Sequence, residues 1–147
     1  MRATINFSVD KKSIDMFKAN CNVAISKVGN GSRKALVAAC EEILGESMAQ
    51  VPQDTSTLLL SSFWEVTGHY KTGWDATIGY GGNGDPVNPK TGKPASYYAL
   101  AVHEDLNAVH PIGKAKYLED PVREYAREKF PRTVFKYAQE AISDFSE

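Results

Sequence analysis

Residues 96–121, SYYALAVHEDLNAVHPIGKAKYLEDP, join a segment of ambiguous periodicity to a strong helix start. Up to His103 the apolar residues alternate as in a half-buried strand, but they also share one helical face, so both structures stay open. Asp120 and Pro121 then predict a helix with Asp120 as its N-cap. Because side chains of specific geometry are concentrated here between turn formers, we expect the domain to make its contacts through this stretch.

After this stretch, helical spacing of apolar residues predicts a C-terminal helix, and Pro131 predicts a kink or break near Phe130. Before it, residues 60–69 and 74–80 are rich in β-formers on both sides of a Lys-Thr-Gly turn. They predict an antiparallel hairpin.

The N-terminal third is predicted to hold a strand and two helices. Residues 3–9 alternate and predict a strand at a sheet edge. A helix capped by Asp10 follows, and the run Gly29-Asn30-Gly31-Ser32 is expected to break the chain before a second helix over residues 33–50. The predicted fold is therefore α+β, a single domain over residues 1–147, with a small, mainly antiparallel sheet packed against two N-terminal helices and a C-terminal helix.

Composition narrows the function. With 147 residues and a net charge of −1, the chain lacks the basic excess expected of a nucleic-acid binder. No targeting segment and no membrane span is apparent, so we expect synthesis in the cytoplasm and no association with a membrane. The two cysteines, Cys21 and Cys40, lack metal or redox spacing and are expected to be reduced.

Residues 81–96, GGNGDPVNPKTGKPAS, form a long loop that lacks the apolar residues needed to pack. Two interpretations stay open. The loop is either a slack, flexible surface connection or an arm that becomes ordered only against a partner.

Catalytic patterns are weak. His103-Glu104 lacks the second histidine of a zinc-protease helix, since that position is Asn107. A metal-dependent hydrolase that uses His103, Glu104 and His110 as metal ligands stays open as an alternative. Neither a nucleophile elbow nor a phosphate-binding loop occurs. We therefore predict a protein that is not an enzyme, with no catalytic, cofactor-binding or metal residues.

Two blocks of sequence resemble the neck proteins of tailed bacteriophages, also called minor capsid or tail-completion proteins. The first block is similar to Val-Pro-x-Asp-Thr-Gly-x-Leu-x-x-Ser, with Ser56 where glycine is usual. The residues that carry the resemblance are Val51-Pro52, Asp54-Thr55, Leu58 and Ser61, then Tyr98-Ala99, His103-Glu104, His110, Gly113, Lys116-Tyr117-Leu118 and Asp120-Pro121.

The resemblance implies a structural subunit of the head–tail connection that acts by protein–protein assembly, is assembled in the host cytoplasm and is located in the neck or tail region of the virion. It implies a homo-oligomeric ring of six or twelve copies between portal-side and tail proteins, with DNA in the lumen bound without sequence specificity. A tail-terminator subunit that caps the tail tube is the alternative. The candidate interface residues are Asp85, Pro86, Lys90, Lys93, Tyr98, His103, Glu104, His110, Lys114, Lys116 and Tyr117.

Overall fold

The computed structural model describes residues 10–82 and 84–143, and in this part the chain is α+β. The elements are α1 (Lys11–Gln50), α2 (Thr57–Leu60), β1 (Phe63–His69), β2 (Gly73–Gly79), α3 (Ala95–Glu104), α4 (Glu119–Glu128) and α5 (Phe130–Ser143). The two described strands form an antiparallel sheet that N- and C-terminal helices flank, which confirms the predicted class. The predicted strand at residues 3–9 lies outside the described residues.

The first helix, α1, is continuous over 40 residues, so the predicted break at residues 29–32 is wrong. Ser32 does not cap a new helix, because its hydroxyl donates to the Val28 carbonyl one turn earlier at 3.1 Å. The glycines are used for close packing. A Cβ atom on Gly29 would lie 2.6 Å from the Cβ of Tyr70, and one on Gly31 would lie 2.8 Å from the carbonyl oxygen of Tyr137.

The hairpin is confirmed, with Phe63 paired to Gly79 at one end and His69 to Gly73 at the other. It packs against the middle of α1, where the indole N–H of Trp74 donates to the Gly29 carbonyl at 2.8 Å. No described helix is both long and apolar enough to cross a membrane.

The ambiguous segment before His103 is a helix, α3. Ala95 and Ala99 are buried, and they form one hydrophobic cluster with Val51, Leu58 and Tyr117. Ala95 and Ala99 are four residues apart, so the helix places both side chains on the face that meets this cluster, one turn from each other. A strand would hold the same two side chains much farther apart.

The last two helices are separated at Lys129, and Pro131 lies in the first turn of α5, so the predicted break near Phe130 is confirmed. The predicted N-cap is wrong. Leu118 occupies the cap position of α4, and the Asp120 carboxylate accepts instead from Lys114 Nζ at 2.5 Å. Tyr125 of α4 is buried against Ala39 and Ile43 of α1 in a second hydrophobic cluster.

Candidate functional site

A cleft of about 340 Å³ lies between the segment that follows α1 and the outer side of α3. Both blocks that carry the phage-neck resemblance contribute to its walls, together with the 81–96 loop. The lining residues are Pro52, Asp54, Thr55, Ser56, Thr57, Leu58, Asn88, Thr91, Lys93, Tyr97, Tyr98, Val102 and His110. The cleft therefore joins positions that are far apart in the sequence.

The first wall contains a strained turn. Ser56 has a φ of 58°, the left-handed conformation that glycine adopts freely, and its carbonyl accepts from the Leu60 amide at 2.9 Å. Ser56 therefore takes the conformation that a glycine at this position would adopt without strain. Lys90 of the loop donates to the Asp54 carboxylate at 2.5 Å and ties the loop to this wall.

The 81–96 loop is anchored to the start of α3 by Asp85. Its carboxylate accepts from the Ser96 amide at 2.8 Å and from the Ser96 hydroxyl at 2.5 Å. These hydrogen bonds lower the pKa of Asp85. The Pro86 carbonyl accepts from the Ala95 amide at 3.0 Å. Asp85 therefore satisfies an amide of the first helical turn, a role that N-caps usually fill from within the helix.

His110 lines the cleft beside Tyr98 and Val102. Its Nε2 atom is buried and has no hydrogen-bond partner among the described residues. A buried imidazole nitrogen without a partner is unfavourable, so His110 places one costly polar atom in the wall of the cleft. His103 lies elsewhere, in a shallower depression with Tyr80 and Tyr117.

A polar cluster of His103, Glu104, Lys116 and Glu119 joins the end of α3 to the start of α4. Lys116 Nζ lies 2.5 Å from a Glu104 oxygen and 2.8 Å from a Glu119 oxygen. The hydrogen bonds of Lys116 lower the pKa of both carboxyl groups, with His103 adding to the effect on Glu104, and they raise the pKa of Lys116. The cluster is a compact hydrogen-bonded network, in which Lys116 bridges two carboxylates and Arg123 also pairs with Glu119.

Both ring nitrogens of His103 are engaged. Nε2 accepts from the Glu119 amide at 3.2 Å, and Nδ1 lies 2.7 Å from Glu104 Oε1. Because Nε2 accepts a hydrogen bond, the neutral ring carries its proton on Nδ1. This N–H group donates a hydrogen bond to the Glu104 carboxylate. His103 therefore fixes the geometry between two helices.

The residues that could hold a metal ion in the structure differ from the predicted set of His103, Glu104 and His110. His103, Glu104 and Glu119 offer ligand atoms within 4.8 Å of one another, whereas His110 lies in the separate cleft. The ammonium group of Lys116 lies between the two carboxylates and already supplies a cation there. A metal ion would have to displace it and break the hydrogen bonds of His103.

Tyr117 connects this cluster to the core. Its side chain is 1% exposed, its hydroxyl donates to the Ala99 carbonyl at 3.0 Å, and burial raises its pKa. Tyr80 and His103 each contact its ring edge to face, with centroids 5.0 Å apart. The expectation that Tyr117 contacts a partner is corrected, because the folded chain leaves its side chain almost no surface.

Among the remaining candidates, Tyr98 packs against the first hydrophobic cluster, whereas Lys93 and Lys114 are exposed and make contacts within the chain. Lys93 lies over the Tyr97 ring at 4.3 Å, and Lys114 pairs with Asp120. Glu119 was not among the predicted residues. Its spacing of three residues from Lys116 was the available signal, since such pairs meet on a helical turn.

Comparisons with protein-family models, with curated proteins and with solved structures found no match to this chain. The resemblance of the two sequence blocks to phage neck proteins therefore depends on the residues themselves.

Proposed function

We propose that this chain is a structural subunit of the head–tail connection of a tailed bacteriophage, acting by protein–protein assembly in the virion. It forms a homo-oligomeric ring of six or twelve copies, contacts portal-side and tail proteins, and surrounds DNA without reading its sequence. Ring closure requires a heterologous contact whose rotation brings the last copy back to the first.

The observation that carries this proposal is that the two resembling blocks form one structural unit. Val51 and Leu58 of the first block share a hydrophobic cluster with Ala99 and Tyr117 of the second. Gly113 has a φ of 92°, and a Cβ atom there would lie 2.5 Å from the Pro52 nitrogen, so only glycine fits. The residues that carry the resemblance therefore pack one block against the other.

The chemistry of the cluster supports a structural role. Each charged group of the His103 network has an opposite charge or a hydrogen-bond partner inside the chain. A catalytic acid or base needs access to a substrate and a pKa matched to its task. In this network the carboxyl pKa values are lowered, which favours permanently charged, structural carboxylates.

Electron microscopy of the purified protein, combined with sedimentation velocity, tests the proposal. We expect closed rings of six or twelve copies and, in phage particles, a label on this chain at the collar between head and tail. A strictly monomeric protein, or a label along the tail tube or on the capsid shell, would overturn it.

Elemental analysis of the same preparation tests the metal alternative. The wild type and the Glu119→Gln variant are expected to hold equal, substoichiometric zinc, since Lys116 occupies the site. Stoichiometric zinc that the Glu119→Gln variant loses would contradict a purely structural cluster.

A further inference from the structure

The N-terminal end of α1 forms an exposed segment, residues 11–23, which we call the arm. Every residue from 11 to 20 is exposed. Ile14, Phe17 and Cys21 recur at the three- and four-residue spacing of a packing stripe, yet Phe17 is 70% exposed. Lysines outnumber acids in this segment, as Lys11, Lys12 and Lys18 accompany Asp15. The arm is therefore apolar along one row and basic around it.

A second apolar surface occupies the end of α3 and the loop after it, residues 100–112, which we call the end patch. Its exposed apolar residues are Leu100, Leu106, Val109 and Ile112, and Val109 is 95% exposed. Within this range the charged residues are Glu104 and Asp105, both acidic. Glu104 is already paired with Lys116, so Asp105 supplies the acidic charge that a partner would meet. The end patch is thus apolar and acidic, whereas the arm is apolar and basic.

The two surfaces lie at opposite ends of α1. The end patch adjoins the C-terminal end, where the Gln53 amide donates to the Ile112 carbonyl at 3.4 Å and the Lys114 amide donates to the Gln50 carbonyl at 2.9 Å. The arm begins at the other end of the 40-residue helix. At 1.5 Å per residue the ends are about 60 Å apart, so one chain cannot bring its own arm to its own end patch.

We infer that the arm of one copy binds the end patch of the next copy in a head-to-tail contact. This inference rests on the proposed function, whose ring it provides with a specific subunit contact. The exposed apolar residues of both surfaces supply the area that is buried in the contact. The opposite charges favour binding of an arm to an end patch over binding of two arms or of two end patches to each other. Because the two contacting surfaces differ, the contact is heterologous. Any assembly that does not close into a ring therefore has a free arm at one end and a free end patch at the other.

Two variants separate the halves of the contact. Phe17→Ser removes the main apolar side chain of the arm, and Leu106→Ser combined with Val109→Ser removes two from the end patch. All three positions are exposed, so circular dichroism melts should match the wild type. Each variant alone should raise the dissociation constant of self-association by about tenfold or more in sedimentation experiments.

Mixing the two variants is the decisive measurement. In an equimolar mixture, the intact arm of the patch variant meets the intact patch of the arm variant. We therefore expect heterodimers with close to wild-type affinity and no larger species. Raising the salt concentration should weaken the contact because it screens the opposite charges. A patch variant that still self-associates like the wild type would mean that arm pairs with arm, and would overturn the inference.

Phe135→Ser is the matched control, since Phe135 is an aromatic residue on α5 with 67% exposure outside both surfaces. It should leave association unchanged, and a loss as large as that of Phe17→Ser would count against the arm. The outcomes also separate this contact from the proposed function. Open filaments that both variants abolish would keep the contact and contradict a closed ring. Rings that persist in both variants would keep the ring and overturn the contact.

Discussion

The two halves of α1 carry similar apolar spacing but have different surroundings. In the C-terminal half, Ala35, Ala39 and Ile43 are buried under α4, α5 and the hairpin. In the N-terminal half, Ile14 and Phe17 are three residues apart, a spacing that also places both on one helical face, and they are exposed. The spacing of apolar residues thus shows that a helix has a face to bury, but it leaves open whether the same chain or another one covers that face.

The largest expected difference between the halves concerns aromatic residues. Tyr125→Ala should lower the free energy of unfolding by about 3–5 kcal/mol, because it opens a cavity against the covered half. Phe17→Ala should change it by less than about 0.5 kcal/mol, because the arm is exposed. Urea denaturation at a concentration where the chain is monomeric measures both. Equal losses would show that the arm packs within one chain.

Glycine substitutions compare close packing with open surface along the same helix. Gly31→Val should destabilise the fold by about 1–3 kcal/mol, since its Cβ would meet the backbone of Tyr137 and force α5 away. Gly45 has open space around it, so Gly45→Ala should stabilise the helix by about 0.5–1 kcal/mol. Thermal melts of the two variants should therefore move in opposite directions. A neutral Gly31→Val would contradict the close approach of α5.

Substitution of two lysines, one that pairs with the covered half of α1 and one on the arm, compares how much charge interactions stabilise each half. Lys129 Nζ lies 2.7 Å from Glu42 and 2.8 Å from Glu46 on the covered half, and these hydrogen bonds raise its pKa above the ordinary 10.5. Because the folded-state pKa is raised, the stabilisation is present below pH 10.5 and is lost as the pH rises further.

Lys129→Gln should therefore lower the urea midpoint at neutral pH, and the deficit should shrink in strongly alkaline buffer or at high salt. Lys18→Gln on the arm is the matched control and should leave the midpoint unchanged under all these conditions. A deficit that is independent of pH and salt would mean that Lys129 acts through packing.

The smallest effect is expected at the end of the arm. The Asp10 carboxylate accepts from the Ser13 amide at 2.9 Å, and the Ser13 hydrogen bonds lower its pKa from 3.8. Asp10→Ala should speed hydrogen exchange in the first turns of α1 without moving the global unfolding midpoint, since the arm frays separately from the body.

In the wild type the same fraying should appear as the pH falls below 3.8, where the cap becomes protonated. A shift of the global midpoint on Asp10→Ala would show that the arm unfolds together with the body, and would weaken the distinction between the halves.

Part of the fold and of the site could be predicted from local pattern. The hairpin, the separation of α4 and α5 near Phe130 and the α+β class followed from alternation, turn residues and proline. The break at Gly29 and Gly31 was predicted wrongly, because glycine permits both chain reversal and close helix packing, and the sequence does not distinguish them. His103 and Glu104 were expected together, but the hydrogen bond from the Glu119 amide to His103 depends on how α3 meets α4.

The elements that could be predicted from the amino-acid sequence are those whose causes are local. Proline geometry and the periods of helix and strand act over a few residues, so they can be read directly along the chain. The continuity of α1, the burial of Tyr117 and the meeting of the two resembling blocks in one cleft became visible in the folded chain alone. Those outcomes depend on contacts between residues far apart in the chain, and the free energy of such contacts belongs to the pair rather than to either residue.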